Sequence, residues 1–226
     1  MSKHYSVAID GPAGAGKSTI ARQLAAELNF RYVDTGAIYR TVAYFLDLLG
    51  ISPKDTDGVS RYLDELTIGI TYDEDGLQHM IMNGMDVTGD IRTQEIGQKA
   101  SLASAQPLVR EMLLDMQREM ARQHNVVMDG RDIGTVVLPG ADVKFFLTAS
   151  AEVRADRRCK ELAAKGQKPS YEKVLGEIRQ RDYQDTHRAI APLKMTRDAV
   201  KLDTSEMTIE EVLAEMKRII DEKVKV

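Results

Sequence analysis

One stretch constrains this chain more than any other: Gly11-Pro12-Ala13-Gly14-Ala15-Gly16-Lys17-Ser18 lies between a short apolar run, Tyr5 to Ile9, and a segment of helical spacing, Lys17 to Leu28. Ile20, Leu24, Ala25 and Leu28 fall on one face of that segment, so the order is strand, glycine loop, helix. The pattern G-x-x-x-x-G-K-[ST] carries meaning only in that context. Glycines let the backbone curl until several N–H groups converge, and the following helix N-terminus adds a partial positive charge behind them. A chain that begins this way is committed to an anion seat at the end of a parallel strand.

The remaining pattern continues an α/β rhythm. Arg31 to Val33 reads as a second strand, and a helix from about Ala37 to Leu49 ends at Gly50 ahead of Pro53. Leu66, Ile68, Ile70 and Tyr72 then alternate with polar or small residues, and Asn83-Gly84 is the signature of a type I′ hairpin. These features predict a small antiparallel insertion over residues 63–90. Helical stretches follow at Thr93 to Ala105 and Pro107 to Gln123, then buried strands at Val126 to Met128 and Val143 to Leu147. Two charged helices, Ala151 to Ala164 and one reaching His187, are joined by the polar segment Lys165 to Ser170 and read as a lid. Ala199 to Leu202 is a fifth strand, and Thr208 with Glu211 forms a capping box for a last amphipathic helix.

The 226 residues suit one α/β unit with an insertion. The net charge of -4 argues against a broad nucleic-acid surface, so any bound anion must meet locally clustered arginines. Cys159 is the only cysteine, which excludes an intrachain disulfide and a cysteine zinc cage. The apolar run Val7-Ala8-Ile9 is too short for a signal-peptide core and no run approaches a membrane span. The expectation is a cytoplasmic monomer with no membrane or nucleic-acid partner.

A loop of this kind binds ATP or GTP. Its residues from Gly11 to Ser18, with Thr19 after them, are the ATP-binding candidates; Lys17 would span the β- and γ-phosphates and Ser18 would meet Mg²⁺. The base-reading N-K-x-D segment of GTPases is absent, and the D-x-x-G matches at Asp55, Asp73 and Asp86 sit in turns or a hairpin.

Asp34-Thr35-Gly36-Ala37-Ile38-Tyr39-Arg40 follows the second strand, where Thr35 and Arg40 form a clamp for a second phosphate; the bland alternative is a helix cap and a surface arginine. Asp129 ends an apolar strand and is a candidate for organising Mg²⁺ or its waters, with a turn cap as the alternative. Arg131 points to the transferring phosphate. Arg181, Asp185 and Arg188 at i, i+4 and i+7 share a helical face, either as a site wall or as a solvated ion pair. Arg154, Arg157 and Arg158 form a basic stripe on the first lid helix. The four histidines show no ligand or triad arrangement, and the methionines read as core filler.

Through the phosphate loop, D-T-G-A-I-Y-R, D-G-R-D-I-G-T-V-V and R-Q-R-D-Y-Q-D-T-H-R-A-I-A-P-L, the chain resembles the bacterial cytidylate kinase family, insertion included. The resemblance implies a three-layer P-loop NTPase fold, α/β, with a parallel five-stranded sheet flanked by helices. It implies one domain over 1–226: a core (about 1–62, 91–150 and 189–226), an NMP-binding insertion (63–90) and a helical lid (151–188). It implies transfer of the γ-phosphoryl of ATP, as MgATP, to CMP or dCMP, with Lys17, Asp129, Arg131 and Arg188 catalytic. Ser101, Arg110 and Asp132 would surround cytosine, Arg181 and Asp185 would hold the sugar, and Thr35, Arg40, Arg131 and Arg188 would hold the CMP phosphate; lid arginines would close over ATP. The base chemistry is consistent, because a carboxylate suits the cytosine amino group and an arginine its acceptors, whereas uracil reverses both. Two other readings stay open: a kinase for a different small anionic acceptor, such as shikimate or another nucleotide, and a nucleotide-binding switch or regulatory ATP-binding module without transfer.

Overall fold

The computed structural model describes residues 4–224. Expectations that extend to the first three and last two residues lie outside the described residues. β1 (Ser6–Asp10) is a central strand, buried from Val7 onward, and runs into the glycine loop and α1 (Lys17–Leu28). β2 (Arg31–Asp34) leads directly into α2 (Thr35–Leu48), whose N-cap Asp34 accepts from the Ala37 N–H at 2.9 Å. The helix begins two residues earlier than the apolar spacing predicts, because this side-chain cap, and not hydrophobic period, sets its start.

β6 (Val126–Gly130), β7 (Val143–Thr148) and β8 (Val200–Asp203) complete a sheet in the order β2-β6-β1-β7-β8, with every neighbouring pair parallel. Numbering here follows chain order, so three strands of the insertion intervene: β3 (Ile68–Tyr72), β4 (Gln78–Met82) and β5 (Met85–Asp86), an antiparallel sheet of its own. Asn83 and Gly84 both take positive φ, 47° and 83°, between paired Met82 and Met85, as a type I′ turn requires. Gln78 fastens this sheet to the core: its Oε1 accepts from the Asp34 N–H at 2.7 Å.

α3 (Thr56–Tyr62) has no counterpart in the sequence reading. Only Val59 of its seven residues is buried, so it has no apolar stripe to detect. α4 (Gln94–Ala103) and α5 (Pro107–Gln123) pack with α2 on one side of the sheet around Ile38, Leu46, Met80, Leu113 and Met128. α1 and α8 (Ile209–Lys223) cover the other side around Ile9, Leu24, Phe145 and Met216. α6 (Ala151–Ala164) and α7 (Tyr171–His187) form a pair with a small core of their own, Ala155, Leu162 and Val174. Among the described residues, no helix is long and apolar enough to cross a membrane.

This architecture sends the carboxyl ends of β1, β2 and β6 to one edge, where ligands of open α/β sheets bind. Gly11 sits at that edge against β7: a Cβ there would lie 1.9 Å from the Leu147 carbonyl oxygen, a backbone atom that cannot move alone. Gly11→Ala is therefore expected to cost at least about 3 kcal/mol and lower Tm by roughly 6–12 °C, checked by thermal unfolding.

Candidate active site

A cavity of about 740 Å³ opens at this edge. At one end lie Ala13 to Ile20, and at the other Thr35, Arg40, Ser101, Arg131, Asp132, Arg181, Asp185 and Arg188; Asp129 lies between. Among the described residues, Lys17 and seven arginines on its wall face five carboxylates. The wall is thus a built excess of positive charge.

The phosphate loop makes a left-handed curl with Gly14 and Gly16 at φ 77° and 83°, a conformation that costs glycine nothing. Gly11 and Pro12 lie behind its surface, where the Pro12 carbonyl accepts from Lys17 Nζ at 2.8 Å. Burial, and then the neighbouring Arg131 charge, bring the Lys17 amine down to about 7. Ser18 donates to Asp129 Oδ2 at 3.0 Å and Tyr32 to Oδ1 at 2.9 Å. Burial, with the Asp34 charge adding to it, lifts the Asp129 carboxyl to about 6.

A hydroxyl and one carboxylate side by side fit Mg²⁺, which keeps several waters and takes its other ligands from phosphates. Among the described residues no cluster of three His, Cys, Asp or Glu could cage a metal without such help.

The far end is a network of ion pairs. Arg131 Nε donates to Asp185 Oδ2 at 2.8 Å, and the Asp132 carboxylate takes Arg110 Nη2 on one oxygen and Arg188 Nη2 on the other at 3.3 Å. Arg110 is buried behind Asp132, off the cavity wall, so the two residues assigned to the base meet each other first. Burial alone would raise the Asp185 carboxyl, but the Arg131 charge and hydrogen bond overcome it and hold it below its ordinary value. Arg40 donates to the carbonyls of Ile91 and Thr93, both at 3.2 Å. Arg181 is different: its Nε is buried with no hydrogen-bond partner, and burial plus the Arg131 charge bring it down to about 10.

Three expectations change. Thr35 directs its single hydroxyl proton to the Asp129 carbonyl at 2.7 Å, so it offers a phosphate an acceptor lone pair unless that bond breaks. Arg188 lies beyond the helix, as the extended C-cap of α7 (φ -63°, ψ 142°), and reaches the cavity by this turn of the chain and not by i+7 spacing. Arg154 is 4% exposed and absent from the wall: it donates to the Ala13 carbonyl at 3.0 Å and grips Asp182 of α7 at 2.9 and 2.5 Å, supporting the loop from behind. Arg157 and Arg158 do line the cavity, the former bonded to Thr204 and the latter to Glu161.

Sequence reading missed Arg92, which lines the cavity and pairs with Asp34 at 2.8 Å, and Tyr32, which holds Asp129. It also missed Gln78, whose place on the buried face it shares with Met80 and Met82, in alternation along the strand, was the available signal.

The sequence model of the cytidylate kinase family matches residues 7–222. A cytidylate kinase of Carboxydothermus hydrogenoformans is 49% identical over 217 residues, 96% of this chain and 97% of that protein. One of Ligilactobacillus salivarius is 48% identical over 223 residues, 99% of each. Among solved structures, an uncharacterized protein of Eubacterium ventriosum is similar with a TM-score of 0.52 at 12% identity, covering 97% of this chain and 99% of that one, a likeness of fold alone.

The raised Asp129 and the lowered Lys17 make a signed prediction for the nucleotide-free protein. A carboxyl raised from 3.8 to about 6 binds more protons folded than unfolded, so its contribution falls as pH rises between those values, by up to about 3 kcal/mol. A lysine lowered from 10.5 to about 7 does the reverse, and its contribution recovers as pH rises above 7. Urea unfolding across pH 4–10 should show Asp129→Asn flattening the acid limb and Lys17→Met the alkaline one.

Proposed function

The chain belongs to the cytidylate kinase family, and from that premise we propose that it moves the γ-phosphoryl group of ATP onto CMP or dCMP, giving ADP with CDP or dCDP. The observation that carries this reading is the pair of anion seats in one cavity, with the buried, unpartnered Nε of Arg181 at the second. Two polyanions repel each other, and a wall with surplus positive charge lets them approach.

In this reading the phosphate loop and Lys17 hold the donor phosphates, with Arg157 and Arg158 over them and Arg154 bracing the loop. Arg40, Arg131 and Arg188 hold the acceptor phosphate beside Thr35. Arg181 and Asp185 take the sugar; Ser101, Asp132 and Arg110 take the base. An oxygen of the acceptor phosphate attacks the γ-phosphorus in line, forming one P–O bond while the bond to the β-phosphate oxygen breaks, and ADP leaves. Ser18, and Asp129 through water, would hold Mg²⁺, which would supply charge neutralisation to the donor phosphates. No covalent enzyme intermediate is needed, so orientation and electrostatics account for the rate.

Residues 63–90 act as the acceptor-side insertion and 151–188 as a lid that excludes water, the competing acceptor, within one domain. A single chain completes the cavity, which supports a monomer; the surplus of acidic residues over the whole chain supports an enzyme without nucleic-acid partners, and the shortness of its apolar runs a cytoplasmic one.

Coupled ADP release with CMP, dCMP, UMP, AMP and shikimate tests the reading. CMP and dCMP should exceed the others in kcat/KM by on the order of 10²-fold or more. Equal use of UMP would remove the roles of Asp132 and Arg110, and use of shikimate would favour a different acceptor. Lys17→Ala should lose roughly 10²–10³-fold in kcat with its unfolding transition retained.

A further inference from the structure

Asp132 stands at the entrance to an unusual piece of backbone. Residues Ile133–Val137 form a five-residue π-helical turn, preceded by Asp132 at φ -144°, ψ 26°. A single π-helical turn is rare and is found frequently at functional sites. It has no side-chain cap of its own, but a charged group from another element binds each end.

At the amino end, the Asp10 carboxylate accepts from Ile133 N–H on one oxygen and Gly134 N–H on the other, both at 2.7 Å. At the carboxyl end, Arg118 donates from Nε to the Val137 carbonyl at 3.1 Å and from Nη2 to the Val136 carbonyl at 3.0 Å. The fit at the first end is close: a Cβ on Gly134 would lie 3.1 Å from Lys144 Cδ and 3.3 Å from Asp10 Oδ2. Asp10 is 4% exposed, the carboxyl-terminal residue of β1 and the neighbour of Gly11. Arg118 lies on α5, two turns beyond Arg110, the partner of Asp132.

The two clamps therefore tie one turn to both of its reference frames. Asp10 fixes it against the phosphate loop, and Arg118 fixes it against the helix that carries Arg110. Carboxylate and N–H or guanidinium and carbonyl form charge-assisted bonds, the strong class, buried at the Asp10 end and part-buried at the Arg118 end. We propose that Asp10 and Arg118 are positioning residues for the acceptor-base pocket, holding the π-turn so that the Asp132 carboxylate meets the base while keeping Arg110 and Arg188. This rests on the reading that Asp132 contacts the acceptor base.

The test measures kcat/KM for CMP and for UMP, with KM for ATP, in Asp10→Asn, Arg118→Met, Arg118→Lys and Asp132→Ala, and thermal unfolding for each. Arg118→Met should raise the KM for CMP roughly tenfold and shrink the CMP-over-UMP ratio by a similar factor, with KM for ATP unchanged within about twofold. Arg118→Lys should recover part of that ratio, since one donor remains, and Asp10→Asn should shrink it as Arg118→Met does. Combined with Asp132→Ala, neither variant should change the ratio further. If Asp132→Ala collapses the ratio while folded Arg118→Met and Asp10→Asn keep it, the positioning role is overturned and the site reading stands. If Asp132→Ala itself leaves the ratio intact, the assignment of Asp132 to the base fails, and the positioning role with it. Should Asp10→Asn not fold, the Arg118 pair alone decides.

Discussion

Like charges crowded around one cavity are the constraint on which this structure depends. A lysine and seven arginines share its wall among the described residues, and two such charges 4 Å apart would repel by about 4 kcal/mol at an effective dielectric constant of 20. Asp185 against Arg131, and Asp132 between Arg110 and Arg188, make the arrangement tolerable. These carboxylates do not neutralise the wall; they distribute it. What is left over is a surplus of positive charge on the wall, and at Lys17 and Arg181 burial first, then the Arg131 charge, brings both groups down.

The fold answers that constraint by supply from distant segments. β1 brings the phosphate loop, β2 brings Thr35 and Arg40, β6 brings Asp129 to Asp132, and α7 with its C-cap brings Arg181 to Arg188. Parallel strands converge these ends on one edge because each crossover returns the chain in the same direction. The insertion is not a passive ornament: Gln78 bonds the backbone of Asp34, and Arg92, in the turn after the insertion, bonds its side chain. The N-terminus of the helix that bears Arg40 is therefore held from both sides.

The helix pair α6 and α7 links to the phosphate loop through Arg154, which bridges the Ala13 carbonyl and Asp182. That one guanidinium joins loop, first helix and second helix, so a shift of α7, with Arg181 and Asp185 on it, reaches the phosphate loop directly. Arg154 thereby ties the phosphate loop to α7 while its own side chain stays off the cavity wall.

Residue order alone determined a good deal here. The glycine loop, the strands around it, the Asn83-Gly84 hairpin and the Thr208 capping box are local in cause, since backbone conformation and period reside in a few adjacent residues, and they were legible for that reason. The short helix α3, with one buried apolar residue, and the π-turn after Asp132 left no such trace. Tertiary structure decided what each polar or charged residue does: Arg154 turned from cavity wall to brace, Thr35 spent its proton on Asp129, Arg188 arrived by an extended turn, and Asp10, Arg92, Arg118 and Gln78 bond backbone or side chains of distant segments. A sequence states that a side chain can donate or accept, whereas only its neighbours in space decide which partner takes the bond, because those partners come from segments up to more than a hundred residues away.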